Sequence, residues 1–177
     1  MDILEFQKEY RWLSNFWPCF VTYDGLDFSS SEAAYQASKS ESAEIRKEFE
    51  YLSAKGAKKK GRTIEIRPDW DEVKDKVMYE ICRSKFDQNP ELKEKLLATG
   101  EAKLVEGNDW GDTYWGICNG EGENRLGEIL MRIRSEYREA LKWSIPRFKP
   151  CSSRVLFCVF KLFNICSLRF DEFFFVR

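Results

Sequence analysis

Between Asp112 and Met131 a glycine-bearing loop runs into the longest helical apolar pattern of the chain. Leu126, Leu130, Ile133, Tyr137 and Leu141 recur on one face, and Pro146 stops the pattern. Such a stripe commits this part of the chain to a helix packed by one face against a core. Gly116, Gly120 and Gly122 sit in the loop ahead of it and free the backbone to bend and to approach another group closely. Asp112, Tyr114 and Trp115 enter the same loop. A carboxylate, an aromatic face and a permissive backbone are the parts of a small-molecule site. The alternative is a long surface loop around a buried Trp.

The chain has 177 residues, enough for one domain with a sizeable core. Its net charge of −1 argues against a general polyanion binder, which carries a clear basic excess. The most useful absence is histidine, of which there is none. Ser-His-Asp and Cys-His mechanisms and His-ligated zinc are excluded within this chain. An enzyme built from it would draw its acid and base from carboxylates, with Lys, Tyr or Cys as outsiders. The six cysteines include no Cys-x-x-Cys pair, and their scatter suits reduced thiols. The first residues show no signal-peptide pattern, so a cytoplasmic protein is expected.

Taken in order, Phe20–Tyr23 and Leu26–Phe28 read as short strands joined by the hairpin signal Asp24-Gly25. Ser29 to Glu32 opens a helix reaching about Lys39. Ser29 and Glu32 fit a capping box, which is one reading of Glu32. The other places Glu32 at the first turn of a helix and facing a pocket. Tyr35, Gln36 and Lys39 follow at helical spacing and can share its face. A second helix is expected over 42–52 on Ile45, Phe49 and Leu52. Lys55, Lys58, Lys59, Lys60 and Arg62 form a charge run, either a solvated face or a phosphate clamp between Gly56 and Gly61. Thr63–Ile66 reads as a short strand or an extended link. Asp69 and Glu72 fit a second capping box, opening a helix whose stripe is Val73, Val77, Ile81 and Phe86, with Met78 and Cys82 beside it. Trp70 lies off that stripe. A short helix carries Leu92, Leu96 and Leu97 and closes at Gly100, and Lys103–Glu106 reads as a strand. The tail from Cys151 holds seven of the fourteen phenylalanines and three of the six cysteines. It is too short and interrupted for a membrane span. It reads as a packing appendage or as the product of altered splicing or frame.

Several separated segments, in order, resemble one family. Leu13-Ser14-Asn15-Phe16 is similar to its N-terminal Ser-Asn-Phe, and Ser31–Lys39 to its Ser-Glu-x-x-x-Gln-x-x-Lys helix. Ala57–Arg62 resembles Ala-x-x-x-Gly-Arg, and Trp70 with Val73–Met78 resembles Trp-x-x-Val-x-x-x-Val-Met. Ala102–Glu106 matches Ala-Lys-Leu-Val-Glu, and Asp112–Gly116 with Gly120–Arg134 completes the pattern. These are the marks of the YbiA-like, or NADAR, superfamily.

The resemblance implies a compact α+β fold, mostly helical with a small antiparallel sheet, over residues 1–146, with 147–177 as a separate tail. It implies an N-glycosidase that hydrolyses the bond between a ribose and a nitrogen base. The substrate would be a phosphorylated ribosylaminouracil of riboflavin synthesis, or an ADP-ribosyl-modified guanine. Glu32, Trp70, Asp112 and Trp115 stand at the family's functional positions. Glu32 would activate water or stabilise the sugar cation, and Asp112 would hold ribose hydroxyls or share the acid/base work. Trp70 and Trp115 would stack on the base. Arg62 and one of Lys58 to Lys60 would take a phosphate. Asn15, Gln36 and Asn124 would hydrogen-bond sugar or base, with Tyr35 and Gly116 beside them. No cofactor, metal or membrane is expected. Nucleic acid would enter only as a modified-base substrate, and the chain would be a monomer or weak oligomer. A non-catalytic ADP-ribose or NAD-binding module is the competing reading.

Overall fold

A computed structural model describes residues 1–144. The expected boundary at 146/147 and the whole Phe-rich tail lie outside the described residues. The architecture is α+β.

The N-terminal segment forms a 3-10 helix, Lys8–Leu13, and then the hairpin β1 (Val21–Tyr23) and β2 (Leu26–Phe28). Asp24 and Gly25 both take positive φ, 51° and 76°, as a two-residue hairpin turn of this hand requires. The register pairs Val21 with Phe28 and turns both into the core. Next come α1 (Ser31–Ala37), α2 (Ala43–Lys47) and α3 (Ala54–Lys60). Each begins on a serine whose hydroxyl accepts a backbone N–H of the first turn: Ser30, Ser42 and Ser53.

The long helix α4 (Trp70–Gln88) is the centre of the domain. It packs against α1, β1, α5 (Pro90–Ala98) and α6 (Arg125–Ser144). Asn89 separates α4 from α5, and Pro90 opens α5 where its missing N–H costs nothing. Ile81 and Phe86 of α4, Leu92 and Leu96 of α5, and Leu130 and Ile133 of α6 are all fully buried in one core. Between α5 and α6 lie two two-residue strands, β3 (Gly107–Asn108) and β4 (Ile117–Cys118).

Several local expectations are revised. Ser30, not Ser29, caps α1: its Oγ accepts from Ala33 N at 3.2 Å. Glu32 therefore sits one position too early to close a capping box. Asp69 does not cap α4, because Arg67 takes its carboxylate through two N–H groups. The helix expected over 42–52 shortens to Ala43–Lys47 followed by turns, while the lysine run becomes the helix α3. Thr63–Ile66 is a link without strand pairing. Lys103–Glu106 contributes only a single bridge, Ile3 to Leu104, and the strand begins directly after it, at Gly107. That β3–β4 pair is parallel, so the antiparallel sheet is confined to β1–β2. On α6, Leu126, Leu130, Ile133 and Tyr137 are buried but Leu141 is 53% exposed. Among the described residues no helix is long and apolar enough to cross a membrane.

Candidate active site

A cleft of about 1000 Å³ opens where α1, α3, the start of α4, the 3-10 helix and the 106–115 segment converge. Glu32 and Asp112, 80 positions apart in the sequence, both line it. So do Asn15, Tyr35, Gln36, Trp70 and Trp115.

Helix α1 is buried along all seven residues, yet it carries Glu32 and Gln36. A polar side chain on a fully buried helix has to find partners inside the protein or in the cleft. Glu32 lies 7% exposed, and its Oε1 accepts from Gln36 Nε2 at 2.9 Å. Gln36 Oε1 is buried without a partner among the described residues. That amide sits against Gly61, where a Cβ would lie 2.0 Å from Gln36 Oε1. The glycine after the lysine run is thus explained by packing against the site rather than by turn conformation.

Burial pushes the Glu32 carboxyl above its ordinary range. Gln36, then Lys58 and Lys39, work against that push and favour the ionised form, while Asp112 adds to it. Lys39 is itself held below the usual lysine range by burial, with Glu32 opposing the shift. Its Nζ lies 5.8 Å from the Tyr35 ring centre and 6.0 Å from that of Trp70.

The start of α1 is fixed from behind. Glu32 N donates to Asn15 O at 3.0 Å. Asn15 in turn presents its amide to sulfur: Nδ2 lies 3.2 Å from Met78 Sδ, and Cys82 Sγ lies 3.7 Å from Oδ1. Just upstream, Lys85 Nζ donates to the carbonyls of Trp12, Leu13 and Ser14 at 2.8, 3.3 and 3.0 Å. Lys85 is fully buried, so its ammonium is spent on these three carbonyls, and burial drives its pKa down. Sequence reasoning missed it. Its position four residues after Ile81, on the apolar stripe, was the available signal.

Asp112 is built into its own loop. Its Oδ1 accepts from Tyr114 N at 3.2 Å and Trp115 N at 2.9 Å, an Asx-type turn. Asn108 grips the backbone of Asp112 from both sides, accepting its N–H and donating to its carbonyl. Asp112 Oδ2 is left with no protein donor among the described residues. The rings beyond it form one wall: Tyr35 lies 5.0 Å from Trp70 and 5.6 Å from Trp115, and Trp115 lies 5.0 Å from Tyr114. Tyr114 donates to Asp75 at 2.7 Å, and burial with that carboxylate pushes its phenol up to about 12.

Three expected contacts do not line the cleft. Arg62 is exposed, past the end of α3. Gly116 is buried in the wall, where a Cβ would lie 2.1 Å from Glu106 O. Asn124 has its amide fully committed: Oδ1 accepts from Glu106 N at 3.0 Å and Nδ2 donates to Leu104 O at 2.9 Å. It fixes the 104–106 backbone instead of facing a ligand. The lysine run divides: Lys55 and Lys58 line the cleft, joined there by Lys8 and Arg11, whereas Lys60 pairs with Glu48.

A third carboxylate was not anticipated as a site residue. Glu106 lines the cleft, is largely buried, and its Oε2 has no partner among the described residues. Burial first, and Asp112 second, raise its pKa to about 7. The only sequence signal for it was its place at the end of Ala-Lys-Leu-Val-Glu. Among the described residues no group of three or more His, Cys, Asp or Glu side chains could hold a metal ion.

Residues 4–138 match the NADAR domain family. The N-glycosidase YbiA of Shigella boydii is 39% identical over 134 residues, covering 72% of this chain and 82% of that protein. A riboflavin biosynthesis protein of Vibrio vulnificus is 36% identical over 147 residues. That match covers 80% of this chain but only 39% of the Vibrio protein, so the chain spans well under half of that relative. The NMR structure of Escherichia coli YbiA superposes with a TM-score of 0.72 at 35% identity, covering 84% of this chain and 90% of the other.

Proposed function

We propose a substrate and a mechanism from one premise: the chain belongs to the NADAR family and is an N-glycosyl hydrolase. The substrate is a phosphorylated ribosylamine whose base is a polar heterocycle of the ribosylaminopyrimidine kind. The observation that carries this reading is the meeting of acidic, aromatic and basic walls in one cleft. The Vibrio relative's name, a riboflavin biosynthesis protein, supports the choice of base.

Cleavage of a C1′–N bond sends its electron pair to nitrogen and leaves positive charge on the ribose, as in glycoside hydrolysis. Glu32 lies under that charge: burial raises the pKa of its carboxyl, Gln36, Lys58 and Lys39 oppose that push, and the developing sugar cation favours the ionised form further. Water then adds to C1′, and its proton passes to Glu32. Asp112 Oδ2 takes ribose hydroxyls. The base stacks on the Tyr35–Trp70–Trp115 wall, where stacking is worth on the order of 1–3 kcal/mol per base. The phosphate falls to Lys55 and Lys58 with Lys8 and Arg11, in place of the expected Arg62.

The test is to incubate the purified chain with phosphoribosylaminopyrimidines, NAD and ADP-ribosylated guanosine, and to follow free base by chromatography. Base released from the first alone, and not by a Glu32→Gln variant, is the expected result. Release only from the ADP-ribosylated guanosine would move the substrate to modified nucleobases. Tight ADP-ribose binding with no release from any of them would make the chain a binding module.

A further inference from the structure

We propose that Glu106 is the acid of this site, the group that hands a proton to the departing nitrogen as the C1′–N bond breaks. The proposal rests on the N-glycosidase reading above.

An amine leaves poorly as an anion, so the electron pair that nitrogen receives has to be met by a proton. Four carboxylates line the cleft. Asp71 is exposed and paired with Lys74, and their surroundings sort the other three. Glu32 receives an N–H from Gln36, and Asp112 receives two from its own loop. Both already have N–H donors from the protein. Among the described residues Glu106 receives none, and its Oε2 is buried. An ionised carboxylate in that position would be a buried charge without a hydrogen bond, which is costly. A carboxylic acid avoids that cost, and Glu106 lines the cleft, so the acid's proton is available there through the carboxyl's other oxygen.

The backbone that carries Glu106 is pinned, as positioning an acid requires. Its N–H goes to Asn124 Oδ1 at 3.0 Å, and its carbonyl accepts from Ile117 N at 3.0 Å. One residue on, Gly107 has no room for a Cβ, which would lie 2.2 Å from Leu4 O. The charged groups that face Glu106 are Asp112 from the glycine loop, Lys85 from α4 and Lys58 from α3. Asp112 and burial favour the proton, and the two lysines oppose them. Lys85 opposes from a distance, since its hydrogen bonds are taken by the carbonyls of Trp12, Leu13 and Ser14. In the overall step Glu106 gives its proton to nitrogen, water supplies oxygen to C1′, and Glu32 takes the water's proton. Proton exchange with solvent restores both residues.

The experiment measures kcat and kcat/KM from pH 5 to 9 for wild type, Glu106→Gln and Glu106→Asp on a ribosylamine the wild type cleaves. The expected wild-type profile falls on the alkaline side as Glu106 loses its proton near pH 7. Glu106→Gln should lose roughly 10²- to 10⁴-fold in kcat with little change in KM, and its alkaline limb should vanish. Glu106→Asp should keep the limb at a reduced rate. A Glu106→Gln enzyme with wild-type kcat and an unchanged limb would overturn the proposal. If Glu106→Gln fails to fold, Glu106→Asp and the wild-type profile decide, and a wild-type profile flat from pH 6 to 9 counts against it. A ¹³C titration of the Glu106 carboxyl separates this proposal from its premise. A carboxyl ionising near pH 4.5 removes the acid while leaving the glycosidase reading intact. Absence of base release from every substrate sinks the premise instead.

Discussion

Helix α4 has carboxylates gathered around it on two sides, and the two groups are treated in opposite ways. Towards α6, Glu136 accepts from Tyr79 at 2.6 Å, from Arg83 at 2.9 Å and from Arg132 at 2.9 Å. Asp87 beside it accepts from Tyr137 at 2.7 Å and Arg83 at 2.9 Å. Every lone pair that matters has a donor, and the Tyr79 hydroxyl, ahead of Arg132, holds Glu136 below the usual carboxylate range. Towards the cleft, among the described residues, Glu32 has one donor and Glu106 has none, and burial holds both above that range. A protein that can satisfy a carboxylate three times over on one side leaves acceptors open on the other. Unpaired buried acceptors cost stability, so their concentration in one cleft marks where a ligand completes the bonding.

The largest expected effect tests whether the open side is chemical. Glu32→Gln should lower base release by about 10²- to 10⁴-fold, the usual weight of a positioned acid or base. The fold should survive, because Ser30 and not Glu32 caps α1. Kinetics and a thermal melt on the same preparation check both halves. Near wild-type turnover would reduce Glu32 to a packing residue and remove the contrast.

Next in size is a pH effect of opposite sign on the two sides. Glu106 ionises at an ordinary 4.5 when unfolded and at about 7 in the native state. Its proton therefore stabilises the native state fully below pH 4.5, and this contribution is lost as pH rises through 7. The difference of 2.5 units corresponds to roughly 3 kcal/mol as an upper figure. Glu106→Gln has no such charge to bury, so its melting temperature should exceed that of wild type at pH 8 and match it near pH 5. Glu136 is shifted the other way. Its contribution is present above pH 4.5 and lost on acidification, so Glu136→Gln should melt below wild type at pH 8. Two variants moving in the same direction at pH 8 would break the comparison.

How much of this was legible beforehand follows from what each residue's neighbours in sequence reveal. Asp112 stood out because it enters a glycine-bearing loop beside aromatics, whereas Glu32 also fitted a capping box and stood out through the Ser-Glu-x-x-x-Gln-x-x-Lys pattern it shares with Gln36 and Lys39. Trp70 stood out because it fell off the apolar stripe of its own helix. Glu106 did not, because it only closes the short run Lys103-Leu104-Val105-Glu106, which carries no periodicity of its own, and only the fold buries it within reach of Asp112 and Lys85. Asn124 was assigned to the ligand because sequence cannot show that its amide is already spent on Leu104 and Glu106. The helix α3 was hidden by its lysines and glycines, whose propensities say little. Its place was decided by packing on α1, where Gly61 admits Gln36. The parallel β3–β4 pair is two residues long, too short to leave a period in the sequence.

A smaller effect examines the aromatic wall that the cleft has and the α6 side lacks. Trp70 packs at 5.0 Å on Tyr35 and is only partly buried, so its removal should be felt mainly by the ligand. Trp70→Ala should raise KM by roughly 10- to 100-fold, the equivalent of about 1–3 kcal/mol of stacking. Trp70→Phe should recover much of that loss. Steady-state kinetics on the same ribosylamine reads it. A fall in kcat with KM unchanged would place the indole at the reacting bond rather than on the base.

The smallest effect belongs to the satisfied side. Arg132 gives Glu136 a single exposed ion pair across one helical turn, with Arg132 66% exposed at its side chain. Such pairs contribute about 0.2–1 kcal/mol, and two further donors remain on Glu136 when this one is removed. Arg132→Ala should therefore lower the melting temperature by a degree or two at most, more at low salt than at high. It should leave kcat/KM and its pH profile where they were. A measurable change in the profile would mean that the Glu136 network and the cleft carboxylates communicate through α4. The two sides of the helix would then be one electrostatic system instead of two.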